Sequence, residues 1–451
     1  MTPRAVSYLI VGLALLSGWP RACGANPARP NVLIILADDL SHGDLSCCGG
    51  QGVQTPNIDR IFHEGISLTR FRTNSSVCSP TRAALLTGRY PDCVGVPGVI
   101  RTHPEDSWGE LSQDAVLLPA VLRPAGFSTA LIGKWHLGLR PPNVPTERGF
   151  ELFRGFLGDM MDDYQTHLRH GINYMRHNTE TIAPTGHATD LFTEWGIDFL
   201  RARRHEQGPF FLLLAYNAPH AHIQPPEDWL RRVHQREPHL PQMRARRVAL
   251  VEHLDAGVGG VMSALAAAGL ERETLVIFTS DNGGPIPDGA TNASFRDGKG
   301  SMYEGGLRVP FAARWPGRIT ANSSSDLAAV TMDLFPTALA AAGVALPKNI
   351  DGVSLWSTLL GKRQTVKRPL FFVRREGGRP FLGKSIDAVI DGDWKLVHNS
   401  PFAPLELFNL RDDPGEAHNR ADRERKKLDE LARLLQHHTQ TAGAVPWQKL
   451  P

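Results

Sequence analysis

The chain has 451 residues, 41% of them apolar and 21% charged, with a formal net charge of +3. That balance is too polar for a multi-span membrane protein and too apolar for a disordered chain, and so small a charge excess gives nucleic-acid binding no compositional support. The length allows two or three domain-sized units, or one large core with a smaller companion, and five cysteines are too few to staple either.

At the amino terminus Arg4 precedes an apolar run, Ala5 to Leu16, then the breakers Ser17 to Pro20 and the small residues Ala22 to Ala25. This is the layout of a secretory signal over residues 1–25, so we expect export to a secreted, periplasmic or lysosome-like compartment. The run is short for a bilayer, no later segment reads as a span, and no membrane span is expected.

Four apolar runs then stop abruptly at polar residues. Asn31–Ala37 meets Asp38 and Asp39, and Phe127–Ile132 meets Lys134 and His136. Phe210–Tyr216 meets Asn217 and His220, and Leu275–Thr279 meets Asp281 and Asn282. Continuous apolar runs of this length, rich in β-branched and aromatic residues, predict strands buried on both faces. Helical patterns lie between them at Asn57–Glu64, Pro80–Thr87, Leu117–Leu122, Ala188–Arg201 and Val248–Leu270.

The alternation predicts an α/β fold, a large, mainly parallel sheet sandwiched by helices, over residues 26–345. In such sheets ligands bind beyond the carboxyl ends of the strands, where all four runs carry their polar residues. Residues 346–451 read as an α+β subdomain. Its strand-like pieces Pro369–Val373, Asp387–Ile390, Trp394–Val397 and Leu405–Phe408 predict a small antiparallel sheet, closed by an amphipathic helix over Glu424–His437.

In the segment Val77–Arg89, Ser79 suits an N-cap, Pro80 the first helical position and Gly88 the stop. Cys78 is therefore expected just before a helix N-terminus, where amides and dipole favour an anion, with Arg82 adding a fixed charge one turn in. An ordinary buried cysteine at a helix start is the alternative. Asp38, Asp39, Asp281 and Asn282 form a second set. Either pair alone reads more readily as a solvated turn than as a ligand, but four hard oxygens at two strand ends suit Ca²⁺, less often Mg²⁺, rather than zinc. Lys134 and His136 alternate along an extended segment and can face the same way.

Cys78-Ser-Pro-Thr-Arg82, followed by Ala83-Ala-Leu-Leu-Thr-Gly-Arg89, resembles the signature of the type I sulfatases of the alkaline phosphatase superfamily. The resemblance runs from the first strand to Glu406–Gly415. Thr81 stands where serine is commoner, and Ser41 and His42 stand where a glycine and an aromatic are usual. It implies an alkaline-phosphatase-like fold, with Cys78 oxidised to Cα-formylglycine by a formylglycine-generating enzyme. It also implies one Ca²⁺ held by Asp38, Asp39, Asp281, Asn282 and the converted Cys78. Lys134 and Lys299 would clamp sulfate oxygens, His136 would assist elimination, and His220 would help protonate the leaving alcohol. Lys299 opens a further family block, Lys299–Pro310, in which Glu304 and Arg308 read as structural.

The loop Asp162–His167 resembles the Asp-Tyr-x-x-His loop of arylsulfatase B and galactosamine-sulfatase-like members, which implies Asp163, Tyr164 and His167 near the substrate. A surface loop with no contact is the alternative. The Arg-rich stretch Arg231–Arg247 is left unassigned, and the odd set Cys47, Cys48 and Cys93 argues against complete disulfide pairing.

The chemistry explains why such a conversion is useful. A thiolate attacking sulfate leaves a thiosulfate that must then be cleared. A hydrated aldehyde offers one hydroxyl to attack sulfur and a second whose deprotonation expels sulfate. The expected function is hydrolysis of a sulfate monoester on a sulfated carbohydrate through a sulfoenzyme intermediate. The alternatives are a phosphonate or phosphodiester hydrolase of the same superfamily, or an inactive homologue that binds sulfated sugars.

Overall fold

Asn31–Ala37 (β1) is buried at every position, as a strand covered on both faces must be. The computed structural model describes residues 29–102, 109–203, 208–377, 381 and 383–444; the segment read as a signal, residues 1–25, lies outside them. Alternate residues of β1 enter opposite cores. Val32, Ile34 and Leu36 pack with Leu85 and Leu86 of the helix Cys78–Thr87 (α1), while Leu33 and Ile35 pack with Leu250 and Leu254 of the helix Gln242–Ala267 (α2).

β1 is central in a ten-stranded sheet. It pairs in parallel with Phe210–Ala215 (β3) on one side and Thr274–Ser280 (β4) on the other, and Ser128–Lys134 (β2) lies parallel beyond β3. Shorter and partly antiparallel strands extend both edges, so the sheet is mixed with a parallel centre. The register aligns Ala37 with Ser280, Leu36 with Ala215, and Ala215 with Gly133. Asp38, Asp281, Lys134 and the loop after β3 therefore leave the sheet at one edge.

Two expectations are corrected. The helix after Val77 begins at Cys78, with Val77 in the cap position, because the Ser79 hydroxyl accepts from the Ile100 amide instead of capping. And α2 is, by length and composition, long and apolar enough to cross a membrane. Its apolar surface is mostly buried against protein, packing on the helices Ala188–Arg203 (α3) and Glu227–Arg236 (α4).

The carboxyl-terminal strands Leu370–Glu376 (β5), Lys384–Asp391 (β6), Trp394–His398 (β7) and Glu406–Asn409 (β8) form an antiparallel sheet in chain order. One face carries the helix Arg425–Ala442 (α5) through Leu428, Leu431 and Leu435. The other packs Phe372, Ala388 and Phe408 against Met302 and Leu307, in the block that follows Lys299. This contact brings the end of β5 to the edge where the large sheet presents its polar residues.

Candidate active site

The strand ends converge on Cys78, whose Sγ lies 3.5 Å from Asp38 Oδ1. Each carboxylate beneath it meets a cation. Lys134 Nζ is 2.5 Å from Asp38 Oδ2, Arg82 Nη2 is 2.7 Å from Asp281 Oδ2, and Lys299 Nζ is 2.7 Å from Asp39 Oδ1. Arg82 also donates to the Lys134 carbonyl at 3.0 Å, tying α1 to the end of β2. The structure thus brings Cys78, Asp38, Asp39, Arg82, Lys134, Asp281, Asn282 and Lys299 together, all nearly or wholly buried apart from Lys299, whose side chain is 21% exposed.

Burial sets the electrostatics, and the neighbours decide its direction. Burial alone would raise Asp39, but the charge and hydrogen bond of Lys299 outweigh it and hold the carboxyl well below its usual range. Asp281 is raised, by burial and by Asp38, against the pull of Arg82. Burial, with Asp38 beside it, pushes the Cys78 thiol well up. Lys299 is raised because Asp39 more than offsets its desolvation.

Both histidines are kept neutral. Burial and Lys299 push His220 down to about 3, and burial and Lys134 push His136 well below 6.5. His220 Nδ1 donates to the Ala221 carbonyl at 2.7 Å, leaving Nε2 to face Lys299 Nζ at 3.0 Å. His136 Nε2 donates to the Ile100 carbonyl at 2.9 Å, so Nδ1 is a buried acceptor with no partner among the described residues. Asp39 and His136 also hold left-handed backbone, at φ 67° and 63°. Such strain costs on the order of 1–3 kcal/mol and persists where surroundings over-determine it. Around Asp39 they do: Arg247 donates to its carbonyl, and Asp281 accepts from its amide at 3.2 Å.

The donor set fits a hard cation. Ligand atoms of Asp38, Asp39, Cys78 and His220 all lie within 4.8 Å of one another. Asn282 donates its amide to Asp39 Oδ1 at 2.6 Å, which leaves Asn282 Oδ1 a buried oxygen without a hydrogen-bond partner among the described residues. His220 is a member of this geometric cluster, a position the sequence did not suggest for it.

Above Cys78 opens a cavity of about 290 Å³, lined by His136, His220 and Lys299 and walled by Arg101, Asp159, Met160, Arg374 and Phe381. No residue of the loop Asp162–His167 lines it; Asp159 and Met160, which precede that loop, do. Tyr164 is buried beneath, its hydroxyl shared between the carbonyls of Asn217 and His220 at 3.0 and 2.9 Å. His167 is buried on the Gly186 carbonyl, and Asp163 turns back onto the amides of Gln165 and Thr166.

Of the unassigned arginines, Arg231 and Arg232 are exposed, whereas Arg244 and Arg247 are buried. Arg244 and Arg247 grip Asp44, with Arg247 Nε 2.9 Å from Oδ2. Ser41, at the departure from the family pattern, accepts from the Gly284 amide at 2.8 Å and joins the Asp38 and Asp281 loops. The Thr81 hydroxyl lies 3.1 Å from the Ser75 carbonyl, a contact serine could make equally. Glu304 is enclosed by Arg72, Arg308 and Lys395, away from the cavity.

Comparison with known proteins agrees with this geometry. The sulfatase family profile matches residues 30–344, and that of the carboxyl-terminal region of N-sulphoglucosamine sulphohydrolase matches residues 295–442. The chain belongs to the sulfatase family. N-acetylgalactosamine-6-sulfatase of Mus musculus is 34% identical to this sulfatase over 407 residues, covering 85% of this chain and 74% of the relative. Arylsulfatase A of Homo sapiens is 33% identical, covering 88% and 85%. The crystal structure of Ps i-CgsB in complex with k-i-k-neocarrahexaose superposes with a TM-score of 0.82 at 31% identity, covering 91% and 92%. The sulfatase is accordingly a sulfuric ester hydrolase by family, with the large mixed sheet and the small antiparallel sheet of its relatives.

Proposed function

We propose that this sulfatase hydrolyses sulfate monoesters on a sulfated carbohydrate, using Cα-formylglycine made from Cys78 and one Ca²⁺ ion. The observation that carries the reading is the meeting of Cys78 with Lys299, His136 and His220 on one cavity, with Lys134 held on Asp38 beside Cys78. At about 290 Å³ the cavity is at the small end for ligand pockets and suits a single sugar ring. The names of the relatives, an aminosugar sulfatase and a protein crystallised with a carrageenan oligosaccharide, support a carbohydrate substrate.

Asp38, Asp39, Asp281 and Asn282 Oδ1 would hold the ion, which supplies Lewis acidity toward a sulfate oxygen and the residue-78 hydroxyl. The aldehyde hydrate supplies one hydroxyl to attack sulfur and a second to release sulfate. Lys134 and Lys299 neutralise charge on the sulfate oxygens as it develops. Lys299 and His220, 3.0 Å apart, share a proton at the cavity wall and give it to the departing alcohol oxygen. His136 Nδ1, held as an acceptor by the Ile100 contact, takes the proton of the second hydroxyl. Arg82 fixes Asp281 and adds permanent positive charge beneath the site.

The same reading takes residues 26–345 as the catalytic domain, residues 346–451 as its α+β companion, and a formylglycine-generating enzyme as the partner in maturation. The layout of residues 1–25 supports export. The test is turnover of an aryl sulfate against an aryl phosphonate by the purified Ca²⁺-loaded protein. Preference for the sulfate is expected. Preference for the phosphonate would favour a phosphonate hydrolase, and binding of sulfated sugars without any turnover would favour a silent homologue.

A further inference from the structure

The wall of the cavity carries cations that the sulfate chemistry above does not use. Arg374, on β5, is nine-tenths buried yet lines the cavity. Its Nε and Nη2 both reach Glu376 Oε1 at 2.8 Å, and Nη1 donates to the Gly300 carbonyl at 2.9 Å. Those contacts use three of the five N–H donors of a guanidinium. Gly300 directly follows Lys299. A Cβ there would sit 2.6 Å from Arg374 Nη1, on backbone at φ +88°, so glycine is what lets the guanidinium close beside the catalytic lysine.

Arg101 also lines the cavity, and it meets the same carboxylate. Its Nη2 lies 2.6 Å from Glu376 Oε2, its guanidinium stands 4.4 Å over the Phe381 ring, and 24% of its side chain is exposed. A third cation lies opposite Glu376 in the β5–β6 register. Lys384, at the start of β6, is lowered by burial and by the Arg374 charge, and it makes no ion pair among the described residues. Asp159, the acidic group on the wall, is already taken by Arg169 at 3.0 and 3.3 Å.

Glu376 thus holds two guanidinium forks at the edge of a pocket that closes over the nucleophile. Guanidinium forks match the paired oxygens of carboxylate and sulfate groups. We propose that Arg374 and Arg101 form a subsite for a second anionic group, a carboxylate or a further sulfate, on the saccharide whose scissile sulfate meets Cys78. This rests on the sulfatase reading and narrows it: the substrate carries at least two negative charges.

The experiment measures kcat/KM at fixed ionic strength for a singly sulfated neutral sugar, the same sugar with a second sulfate, and the same sugar linked to a uronic acid. An aryl sulfate serves as reference. The native enzyme is expected to favour at least one dianion over the neutral sugar by about tenfold, and Arg101→Gln to remove most of that preference. Arg374→Lys, which keeps the charge but loses the fork, should reduce it less. The dianion that responds identifies the anion recognised. Equal kcat/KM for all three sugars in the native enzyme, or a preference unchanged in both variants, overturns the subsite while aryl sulfate turnover upholds the sulfatase reading. Failure to turn over any sulfate ester defeats both.

Discussion

Beneath the floor of the cavity Asp38, Asp39 and Asp281 are wholly buried, and each is met by a cation from a strand end, a loop or α1. At the rim Arg101 keeps a quarter of its side chain exposed, and Arg374 reaches in from a separate sheet. The floor is made of groups within a few residues of parallel strand ends, so backbone pairing fixes their spacing. The rim is made by docking one sheet against another. A buried charge that loses its partner costs about 3–5 kcal/mol, whereas a part-exposed one is relieved by water. Changes at the floor should therefore act as all-or-none events, and changes toward the rim as graded ones.

The largest effect expected is at Cys78, the proposed nucleophile. Cys78→Ala should lower aryl sulfate hydrolysis by about a millionfold, the scale seen when a nucleophile is removed, with the melting temperature little changed. Turnover near the native rate in that variant would break the assignment of the floor. Next comes Asp281→Asn, which keeps the volume and a hydrogen-bond acceptor for Arg82 but drops the charge. Loss of a group that only orients a metal ligand costs about 10–100-fold, so removing the negative charge of a ligand should cost at least as much, with bound calcium falling in parallel. Calcium content equal to the native protein's, measured by elemental analysis, would contradict the ligand set.

Away from the floor the expected effects shrink. His187 donates from Nε2 to the Gln224 carbonyl and accepts the Thr189 amide at Nδ1, and burial lowers its pKa to about 4. The unfolded chain protonates this histidine near 6.5 while the folded chain resists to about 4, so the unfolded state binds more protons between those values. Stability should thus fall as pH drops through this window, by at most about 1.4 kcal/mol per pH unit from this group. Thermal melts of His187→Gln should show a shallower fall, and an identical pH slope would remove His187 from the account. Smallest is Tyr164→Phe, which deletes the hydroxyl bracing the Asn217 and His220 carbonyls. It should cost about 0.5–1.5 kcal/mol of stability and lower kcat by about threefold to tenfold with KM nearly unchanged. A change in KM alone would mean that Tyr164 acts on substrate binding and not on His220.

The same contrast explains what was legible in the sequence. β1 is observed over Asn31–Ala37, as its apolar run predicts, and Asp38 and Asp281 follow, and Lys134 ends, strands whose ends the polar residues mark. Local pattern is enough where function sits next to a strand end. It misjudges the start of α1, because Val77 and the Ile100 amide, not hydroxyl propensity, decide where Ser79 points. It cannot show that Arg244 and Arg247 turn inward to Asp44, since an arginine run reads as solvated until its buried partner is known. Arg101 is remote in sequence from Arg374 and Phe381, with no motif among them, and only the docking of the small sheet brings them to one cavity. Tyr164 is legible as a motif, but its position beneath His220 depends on the fold of the loop.

The central claim is that Cys78 serves as formylglycine, and the most direct measurement is the mass of the peptide containing it, from protein made alongside a formylglycine-generating enzyme. The account predicts an aldehyde at residue 78 in the active protein. An intact thiol there, in protein that hydrolyses sulfate esters, would contradict it.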